Sequence, residues 1–242
     1  MIAYSLRRIK NRILYGMFQK RDIKPAVLKN LTVLDGIDFE TPINKVNYAV
    51  VDTELTGLDE KKDSIISIGV VKMAGGSISL GDYFYRIIDP SVCPKRDSVV
   101  IHGITPQEIS ICPPLELILP EFIDFVKNRI IVGHFISIDL AFINKEMKRH
   151  YGFAFQNPSI DTIHLYWWLK KKSFSYDAYA QEYVQVESNL FDIAKGFGIP
   201  VTERHSAIGD AFITAQLFQR FLPQLQQKGV ETLSDLIRVG KS

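Results

Sequence analysis

The sequence predicts an α/β domain built on a mixed sheet. Three apolar strands are predicted first, at Tyr48–Asp52, Ser64–Met73 and Ile78–Ile88, and the turn-forming pair Gly75-Gly76 joins the last two. After residue 88, short apolar segments alternate with longer segments of helical periodicity. Short turns favour an antiparallel meander, and the later alternation favours strands that are covered by helices.

The second half of the chain supplies the predicted helices and two further short strands. The strands are Ile130–Gly133 and Ser159–Ile160. The predicted helices, in chain order, are Leu115–Asn128, Ser137–Tyr151, Thr162–Lys170, Ser188–Phe197 and Ala207–Leu222. The tyrosine-containing stretch 174–186 is predicted to be a loop or an irregular helix, and residues 226–242 are predicted to hold a short terminal helix.

Composition indicates one globular core with an uneven charge distribution. A chain of 242 residues that is 46% hydrophobic can bury one sizeable core. Basic and acidic residues nearly balance, 29 against 27, but residues 1–30 contain eight basic side chains and a single acid, Asp22. We therefore divide the chain into a basic amphipathic helix and connector at 1–45, an α/β domain at 46–227 and a C-terminal tail at 228–242.

The basic leader is predicted to be an amphipathic helix. Its apolar residues recur at intervals of three and four: Ile2, Leu6, Ile9, Ile13 and Met17. Such a helix can pack on its own domain, contact a partner or nucleic acid, lie on a membrane surface, or belong to a transit-like segment. The sequence leaves these alternatives open. Residues 22–46 show little periodicity and are predicted to be a connector.

Cysteine usage and hydropathy predict the compartment. The two cysteines, Cys93 and Cys112, form no CxxC pattern, which fits a reducing compartment and excludes a disulfide framework. No apolar run approaches the roughly 18 to 20 residues that span a bilayer, and the leader lacks the continuous apolar core of a secretory signal. We therefore expect a cytoplasmic protein without stable membrane insertion.

The first candidate site residues are two acids at the end of the first predicted strand. Asp52 and Glu54 are two residues apart, so both side chains point to the same side of the sheet. Like charges held so close repel each other, and burial adds to the cost. Strand ends are common positions for functional residues in open α/β folds.

Two more acids lie in the first turns of predicted helices, on their core-facing sides. The apolar residues in line with them are Ile143 and Met147 for Asp139, and Ile213, Leu217 and Phe221 for Asp210. Taken singly, both could be ordinary helix N-terminal acids, which the helix dipole favours. Four inward-facing carboxylates can share one location only if positive charge is supplied there.

Divalent cations are the simplest source of that charge. Oxygen-only ligands suit Mg²⁺ or Mn²⁺ rather than zinc, and two such ions about 3.5 to 4 Å apart support phosphoryl chemistry. His205 precedes Asp210 by five residues and is predicted to lie on the loop ahead of that helix. From there it could take a proton from an attacking water, although a surface histidine is the ordinary alternative.

Four segments carry a resemblance to a known family. In chain order they are "DTELTGL", "HGIT", "GHFISIDLAF" and "RHSAIGDA". Together they resemble the DEDDh 3′-to-5′ exonucleases, particularly the proofreading epsilon subunits of bacterial DNA polymerase III, over about residues 45 to 225. The resemblance implies a ribonuclease H-like fold, a mixed five-stranded sheet flanked by helices. It also implies hydrolytic release of nucleoside 5′-monophosphates from a 3′ end.

The resemblance also implies roles for individual residues. Asp52, Glu54 and Asp210 would bind the first of two Mg²⁺ or Mn²⁺ ions, and Asp52 would bridge to the second ion, supported by Asp139. His205 would be the general base. The residues implied to hold the terminal nucleotide are Leu55, Thr56, Gly57 and Leu58, through their backbone, and His102.

The chain departs from the family pattern at four positions, one of which is Ile136 in place of the alanine of the third motif. The usual third motif reads His-Asn-Ala-x-Phe-Asp, whereas Phe135 and Ile138 occupy its asparagine and phenylalanine positions here. Leu55 replaces a frequent threonine. Asp161 matches a common family acid, and we predict that it caps the helix starting at Thr162.

The predicted function is therefore a 3′-to-5′ exonuclease that acts on single-stranded DNA in proofreading or repair. Its predicted partners are nucleic acid with a free 3′ end and, through the basic N-terminal segment, a DNA polymerase or another replication or repair protein. Two alternatives stay open from sequence: an RNA-directed exonuclease, because sugar identity is read through contacts to the 2′-hydroxyl, and a non-catalytic binding module on the same fold.

Overall fold

A mixed five-stranded sheet forms the centre of the protein, in the order β3-β2-β1-β4-β5. The computed structural model describes residues 2–90, 103–173, 188–201 and 205–241, with only the backbone of residues 2, 3, 172 and 173. The strands are β1 (Asn47–Leu55), β2 (Ile65–Ala74), β3 (Ser77–Ile87), β4 (Ile130–Gly133) and β5 (Ser159–Asp161). The first three form an antiparallel meander, and β4 and β5 run parallel to β1. The predicted mixed five-stranded sheet is confirmed.

Helices cover both faces of this sheet. Their bounds are α1 (Ile2–Phe18), α2 (Pro25–Asn30), a 3₁₀ helix (Val33–Gly36), α3 (Pro106–Ser110), α4 (Leu115–Val126), α5 (Ile136–Tyr151), α6 (Thr162–Ser173), α7 (Leu190–Gly196), α8 (Ala207–Gln227) and α9 (Leu233–Gly240). Helix α8 continues past Pro223, beyond the predicted end at Leu222, because its buried face continues with the fully buried Leu225. The stretch 174–186 lies outside the described residues.

Alternation along β1 divides the core into two layers. Tyr48 and Val50 pack with helices α6, α7, α8 and α9 on one face of the sheet, whereas Ala49 and Val51 pack with α2, α4 and α5 on the other. Buried on both faces, the strand is a continuous apolar run up to Asp52. The end of β1 is therefore the point at which elements of both layers can meet.

The segments on either side of the central domain pack against it and against each other. The predicted connector contains α2 and the 3₁₀ helix, and Val27, Leu31 and Leu34 in this stretch are fully buried or nearly so. These helices are too short for their periodicity to be detected from sequence. The predicted terminal helix is confirmed as α9, whose Leu233 N–H donates to the Thr41 carbonyl at 2.9 Å. Terminal and connector residues thus join one core.

Helix α1 is present where the leader predicted it, but it packs with an unexpected face. The leader's apolar residues Leu6, Ile9, Ile13 and Met17 are all exposed, while side chains from the other side of the helix contact the domain. None of the helices in the described part of the chain combines the length and hydropathy needed to cross a membrane.

Candidate metal centre and active site

Strand β1 presents its two acids at the end that leaves the core. Asp52 lies opposite Gly69 of β2 and Glu54 lies opposite Ser67, and the register shifts immediately afterwards, between Glu54 and Leu55. Because side chains alternate, both acids point to the side of the sheet that α8 covers, the side of Tyr48. Both are partly exposed.

Gly69 allows the third acid to reach them. Asp210 lies in the first turn of α8 and is 7% exposed. A Cβ atom built on Gly69 would overlap the backbone of Ala207 at the start of that helix. The helix can therefore lie directly on β2, beside Asp52, only because this strand position has no side chain. Gly69 was not predicted from sequence, although a glycine inside a strand signals a close backbone approach.

Three carboxylates converge at this point. One oxygen atom from each of Asp52, Glu54 and Asp210 lies within 4.8 Å of the other two. Burial, followed by the charges of Asp139, Asp210 and Glu54, raises the pKa of Asp52 well above its usual value. Burial and the charges of Asp210 and Asp139 raise the pKa of Glu54 to about 8. Without a cation, the cluster therefore holds protons that ordinary carboxylates would release.

The fourth acid, Asp139, approaches from the opposite layer. It lies in the first turn of α5 and is 6% exposed. The Thr53 hydroxyl donates a hydrogen bond of 2.6 Å to the Asp139 Oδ1 atom, and Thr53 alternates with Asp52 and Glu54 on β1. Burial raises the pKa of Asp139 to about 7, while the Thr53 hydrogen bond lowers it. Thr53 was not predicted from sequence, although its position between the two strand acids is a signal that could have identified it.

Asp161 forms hydrogen bonds at the starts of two helices, α6 and the Asp139 helix α5. Its Oδ1 atom accepts the Ile163 N–H at 3.1 Å, which confirms the predicted cap at the start of α6. The same oxygen accepts the Phe135 N–H at 2.9 Å, and the Phe135 carbonyl accepts the Ile138 N–H in the first turn of α5. Asp161 therefore holds the backbone from which the Asp139 helix begins.

The residue that Asp161 holds is in an unfavourable backbone conformation. Phe135 has φ 55° and ψ 37°, the left-handed region. Asparagine enters this region more readily than other residues with side chains, because its short polar group can bond locally. The family's asparagine at this position therefore fits the backbone geometry, whereas phenylalanine is the costlier choice. Packing against the α6–α9 layer compensates part of this cost.

His134, next to Phe135, joins three segments of the same region. Its ring lies 2.9 Å from the Thr162 hydroxyl at Nδ1 and 2.7 Å from the Ser188 carbonyl at Nε2. The Ser188 carbonyl can only accept, so Nε2 of the His134 ring donates to it, and burial lowers the pKa of the ring. The side chain thus links the end of β4 to α6 and to the start of α7.

The loop after β1 places its side chains unequally. The Thr56 hydroxyl is buried, accepts the Ser64 N–H at 2.9 Å and donates to Asp63 at 3.2 Å, so it closes the loop back onto β2. Leu55 packs partly against the core, and Leu58 is 76% exposed. Gly57 between them is partly exposed. His102 lies outside the described residues.

His205 lies on the loop just before α8, as predicted. Its backbone has φ 61°, its side chain is exposed, and its ring contacts Phe191 edge-on with centroids 5.3 Å apart. The left-handed conformation turns the chain sharply ahead of the helix that carries Asp210. Within the described residues, His205 is not among the groups that converge within 4.8 Å, and its role as a base stays a prediction.

The fold and the acidic cluster define a class, the DEDD-type exonucleases of ribonuclease H-like fold. The family model described as "RNase_T: Exonuclease" matches residues 49–218, which is most of the chain. The chain belongs to this exonuclease family, and the predicted resemblance is confirmed.

Two relatives represent the sequence similarity. The DNA polymerase III subunit epsilon of Aquifex aeolicus is 33% identical over 199 residues, which cover 80% of this chain and 90% of that protein. The PolC-type DNA polymerase III of Thermotoga petrophila is 32% identical over 216 residues, 89% of this chain. The chain spans only 14% of the length of that much larger polymerase.

Solved structures share the fold at lower identity. Escherichia coli exonuclease I in complex with a dT13 oligonucleotide superposes with a TM-score of 0.62 at 16% identity, covering 76% of this chain and 42% of that one. The nuclease domain of 3′hExo, a DEDDh family member bound to rAMP, superposes with a TM-score of 0.59 at 16% identity, covering 76% and 94%. These similarities confirm the predicted ribonuclease H-like fold.

Proposed function

We propose that the protein is a metal-dependent 3′-to-5′ exonuclease that removes nucleoside 5′-monophosphates from the 3′ end of single-stranded DNA. The observation that carries this proposal is the convergence of Asp52, Glu54 and Asp210 within 4.8 Å, with Asp139 held beside them by Thr53. Membership of the exonuclease family supports the same chemistry.

The donor set fits hard divalent cations. All donors of the cluster are carboxylate oxygens, the ligands of Mg²⁺ and Mn²⁺, and the raised pKa values of Asp52 and Glu54 reflect burial and mutual repulsion that bound cations would offset. Asp52, Glu54 and Asp210 would hold one ion, and Asp52 with Asp139 would hold a second. Two bound ions would supply positive charge to the attacking and leaving oxygens of the hydrolysis.

The protein's own groups would orient the substrate and move the proton. His205 would accept the proton of the attacking water, since its exposed ring lies on the loop that leads directly into the Asp210 helix. The backbone of residues 55–58 would hold the terminal nucleotide, together with His102. Because Thr56 uses both its hydroxyl and its N–H to close the loop, its contribution to substrate binding would come from its carbonyl alone.

The names of similar proteins favour DNA over RNA. Relatives at about 30% identity are named as DNA polymerase III subunits or polymerases, and exonuclease I of the same fold was solved with a DNA oligonucleotide. We therefore propose a proofreading or repair role, with residues 46–227 as the catalytic domain and a polymerase or another replication protein as the partner. An RNA-directed activity is the second candidate, because a related nuclease domain was solved with rAMP.

A degradation assay tests the proposal. The purified chain should shorten a 5′-labelled single-stranded DNA with Mg²⁺ or Mn²⁺, release 5′-monophosphates and stop on addition of EDTA. Asp210→Asn should reduce the rate by about 10³-fold or more, because it removes a charged ligand of the reaction centre. Asp124→Asn, an equivalent change at an exposed position of α4, is the control and should retain the full rate.

The same assay separates the alternatives. An RNA of the same sequence that is degraded faster than the DNA would favour the exoribonuclease. If neither strand is shortened in either metal while an established family enzyme degrades both, the catalytic proposal fails and the non-catalytic binding module is favoured. The four filled acidic positions argue against that module, because a scaffold gains nothing from carboxylates that repel one another.

A further inference from the structure

Helix α1 is anchored to the domain through one face only. The Arg8 guanidinium donates to the carbonyls of Leu34 and Ile37 at 2.9 and 2.7 Å. The buried Asn11 amide donates to Gln156 at 2.9 Å, and the rings of Phe18 and Phe153 pack edge-on. Hydrogen bonds, aromatic contacts and the partly buried Leu14 thus hold the helix in place without the four residues Leu6, Ile9, Ile13 and Met17.

The opposite face of α1 is an unpartnered aliphatic stripe. Leu6, Ile9, Ile13 and Met17 are exposed to 63%, 60%, 62% and 67% of their surface. Single exposed apolar residues are common on protein surfaces, but four in line on one helix form a contiguous patch. The usual arrangement of an amphipathic helix is inverted here, because its polar and aromatic face is inside and its aliphatic face is outside.

The geometry of this stripe fits a second helix. Leu6, Ile9 and Ile13 follow intervals of three and four residues, the spacing of a coiled-coil seam, and Met17 extends the line by one turn. A seam of this kind is narrower than the apolar face with which a helix covers a globular core. The aromatic residues Tyr4, Tyr15 and Phe18 pack toward the domain, which leaves the stripe without the rings that typically anchor an interfacial helix in lipid.

The charges beside the stripe are basic. Lys10 and Arg12 on α1 and Lys20, two residues past its end, are exposed, and the first acid in the chain is Asp22. Arg12 has an exposed partner in Asp35, whereas residues 1–21 contain no acid that opposes Lys10 and Lys20 in sign. Two copies of such a helix would bring like charges together, so charge complementarity calls for an acidic partner.

We propose that the outer face of α1 is a docking surface for an amphipathic helix of a partner protein, one whose apolar seam is flanked by acidic side chains. The partner would bury the aliphatic stripe in a two-helix seam, and its acidic residues would face Lys10 and Lys20. This inference is independent of the nuclease proposal, because it uses no residue of the acidic cluster.

A binding experiment with defined peptides tests this inference on the full chain, without metal or DNA. The probe is a fluorescent peptide of about three heptads with leucine at both seam positions and glutamate at the flanking positions. The matched peptide carries lysine in place of each glutamate. We expect the glutamate peptide to bind at least about tenfold more tightly, with an affinity that falls as salt is added.

Two variants locate the binding site. Ile9→Ser combined with Ile13→Ser should weaken the glutamate peptide at least about tenfold, because both side chains belong to the seam. Leu80→Ser changes an equally exposed aliphatic residue on β3 and should leave the affinity unchanged. Circular dichroism should show that both variants are folded. A third variant, Lys10→Glu, leaves the stripe intact and should reduce the preference for the glutamate peptide.

The contrary outcomes are distinct. Equal affinity for the two peptides, or an unchanged affinity of the double variant, would overturn the proposal. If the chain instead binds phosphatidylserine vesicles but neither peptide, and the double variant does not, the stripe is a membrane surface. If sedimentation shows a dimer that the double variant abolishes, the partner is a second copy of this chain.

Discussion

The acidic cluster at the end of β1 and the aliphatic stripe of α1 are both unfavourable in isolation, but they are built differently. In the cluster, like charges are held together in a partly buried site; on α1, apolar side chains stand in water. The carboxylates come together only through the packing of β1, β2 and α8, whereas the exposed apolar side chains all belong to a single helix. Local conflicts of this kind mark functional positions more often than errors of folding.

The difference shows how each region is prepared for its ligand. The cluster is preorganised, since Gly69, Thr53 and Asp161 hold the elements that carry the acids. The stripe is a surface on a helix that is already anchored by its other face. Mutations near the cluster should therefore affect stability and activity together, whereas mutations of the stripe should affect neither.

The largest effect is expected at Gly69. Gly69→Ala should destabilise the fold by about 3 kcal/mol, because its Cβ atom overlaps the rigid backbone of Ala207. It should also lower nuclease activity sharply by pushing Asp210 away from Asp52. Chemical denaturation and the degradation assay measure the two effects. Gly81→Ala, a strand glycine whose added Cβ would meet no neighbour, should be nearly neutral. Equal stability of both variants would refute the proposed close approach.

The next effect is expected at Asp161. Asp161→Ala should cost about 1 to 3 kcal/mol of stability, because it leaves the N–H groups of Phe135 and Ile163 without their acceptor. If this acid also positions Asp139, the variant should need a higher Mg²⁺ concentration for half-maximal activity. Asp161→Asn keeps an oxygen acceptor and should restore most of both properties. An unchanged Mg²⁺ requirement in the alanine variant would limit Asp161 to a purely structural role.

A smaller effect is expected from pH on the metal-free protein. The folded-state pKa values of Glu54, about 8, and Asp139, about 7, lie above those of ordinary carboxyls. Between the ordinary value and the raised one, the folded state binds protons that the unfolded state has released. Stability should therefore rise as pH falls from about 8 to about 5 and decline as pH rises through that window.

Thermal unfolding in EDTA across this window measures the effect, which should amount to a few degrees. Saturating Mg²⁺ should flatten the curve, because cations replace the protons as counter-charge. Glu54→Gln should weaken the pH dependence in EDTA. A metal-free protein whose melting temperature increases steadily with pH from 5 to 8 would show that the acids do not crowd one another as the structure indicates.

The smallest effect is expected on the exposed aliphatic stripe of α1. Ile9→Ser with Ile13→Ser should change the free energy of unfolding by no more than about 0.5 kcal/mol per site, as is usual for exposed positions. Phe18→Ala on the inner face should cost about 3 kcal/mol or more, since that ring is 8% exposed against Phe153. Comparable losses in the free energy of unfolding from both faces of α1 would mean that the stripe stabilises the fold. The stripe would then no longer differ from the acidic cluster in this respect.

Local patterns were sufficient for much of the fold and for the acids themselves. Alternating and continuous apolar runs located the three strands of the meander, and the helical stripes located α5 and α8 with Asp139 and Asp210 on their inner sides. The short helices α2 and α3 escaped prediction, because one or two turns contain too few residues to establish a period. The repeats of apolar residues that mark strands and helices depend on residues close together in the chain, so they can be identified directly from the sequence.

Contacts between distant segments were decided only in three dimensions. The sequence showed an aliphatic face on the leader but not that this face points to solvent, because either side of a helix can be anchored by partners elsewhere in the chain. In the same way, Gly69 is required only because α8 packs on β2, and the bonds of Thr53 to Asp139 and of Asp161 to Phe135 depend on the packing of α5 beside β1 and β5. Periodicity determines which faces exist, whereas packing determines what each face contacts.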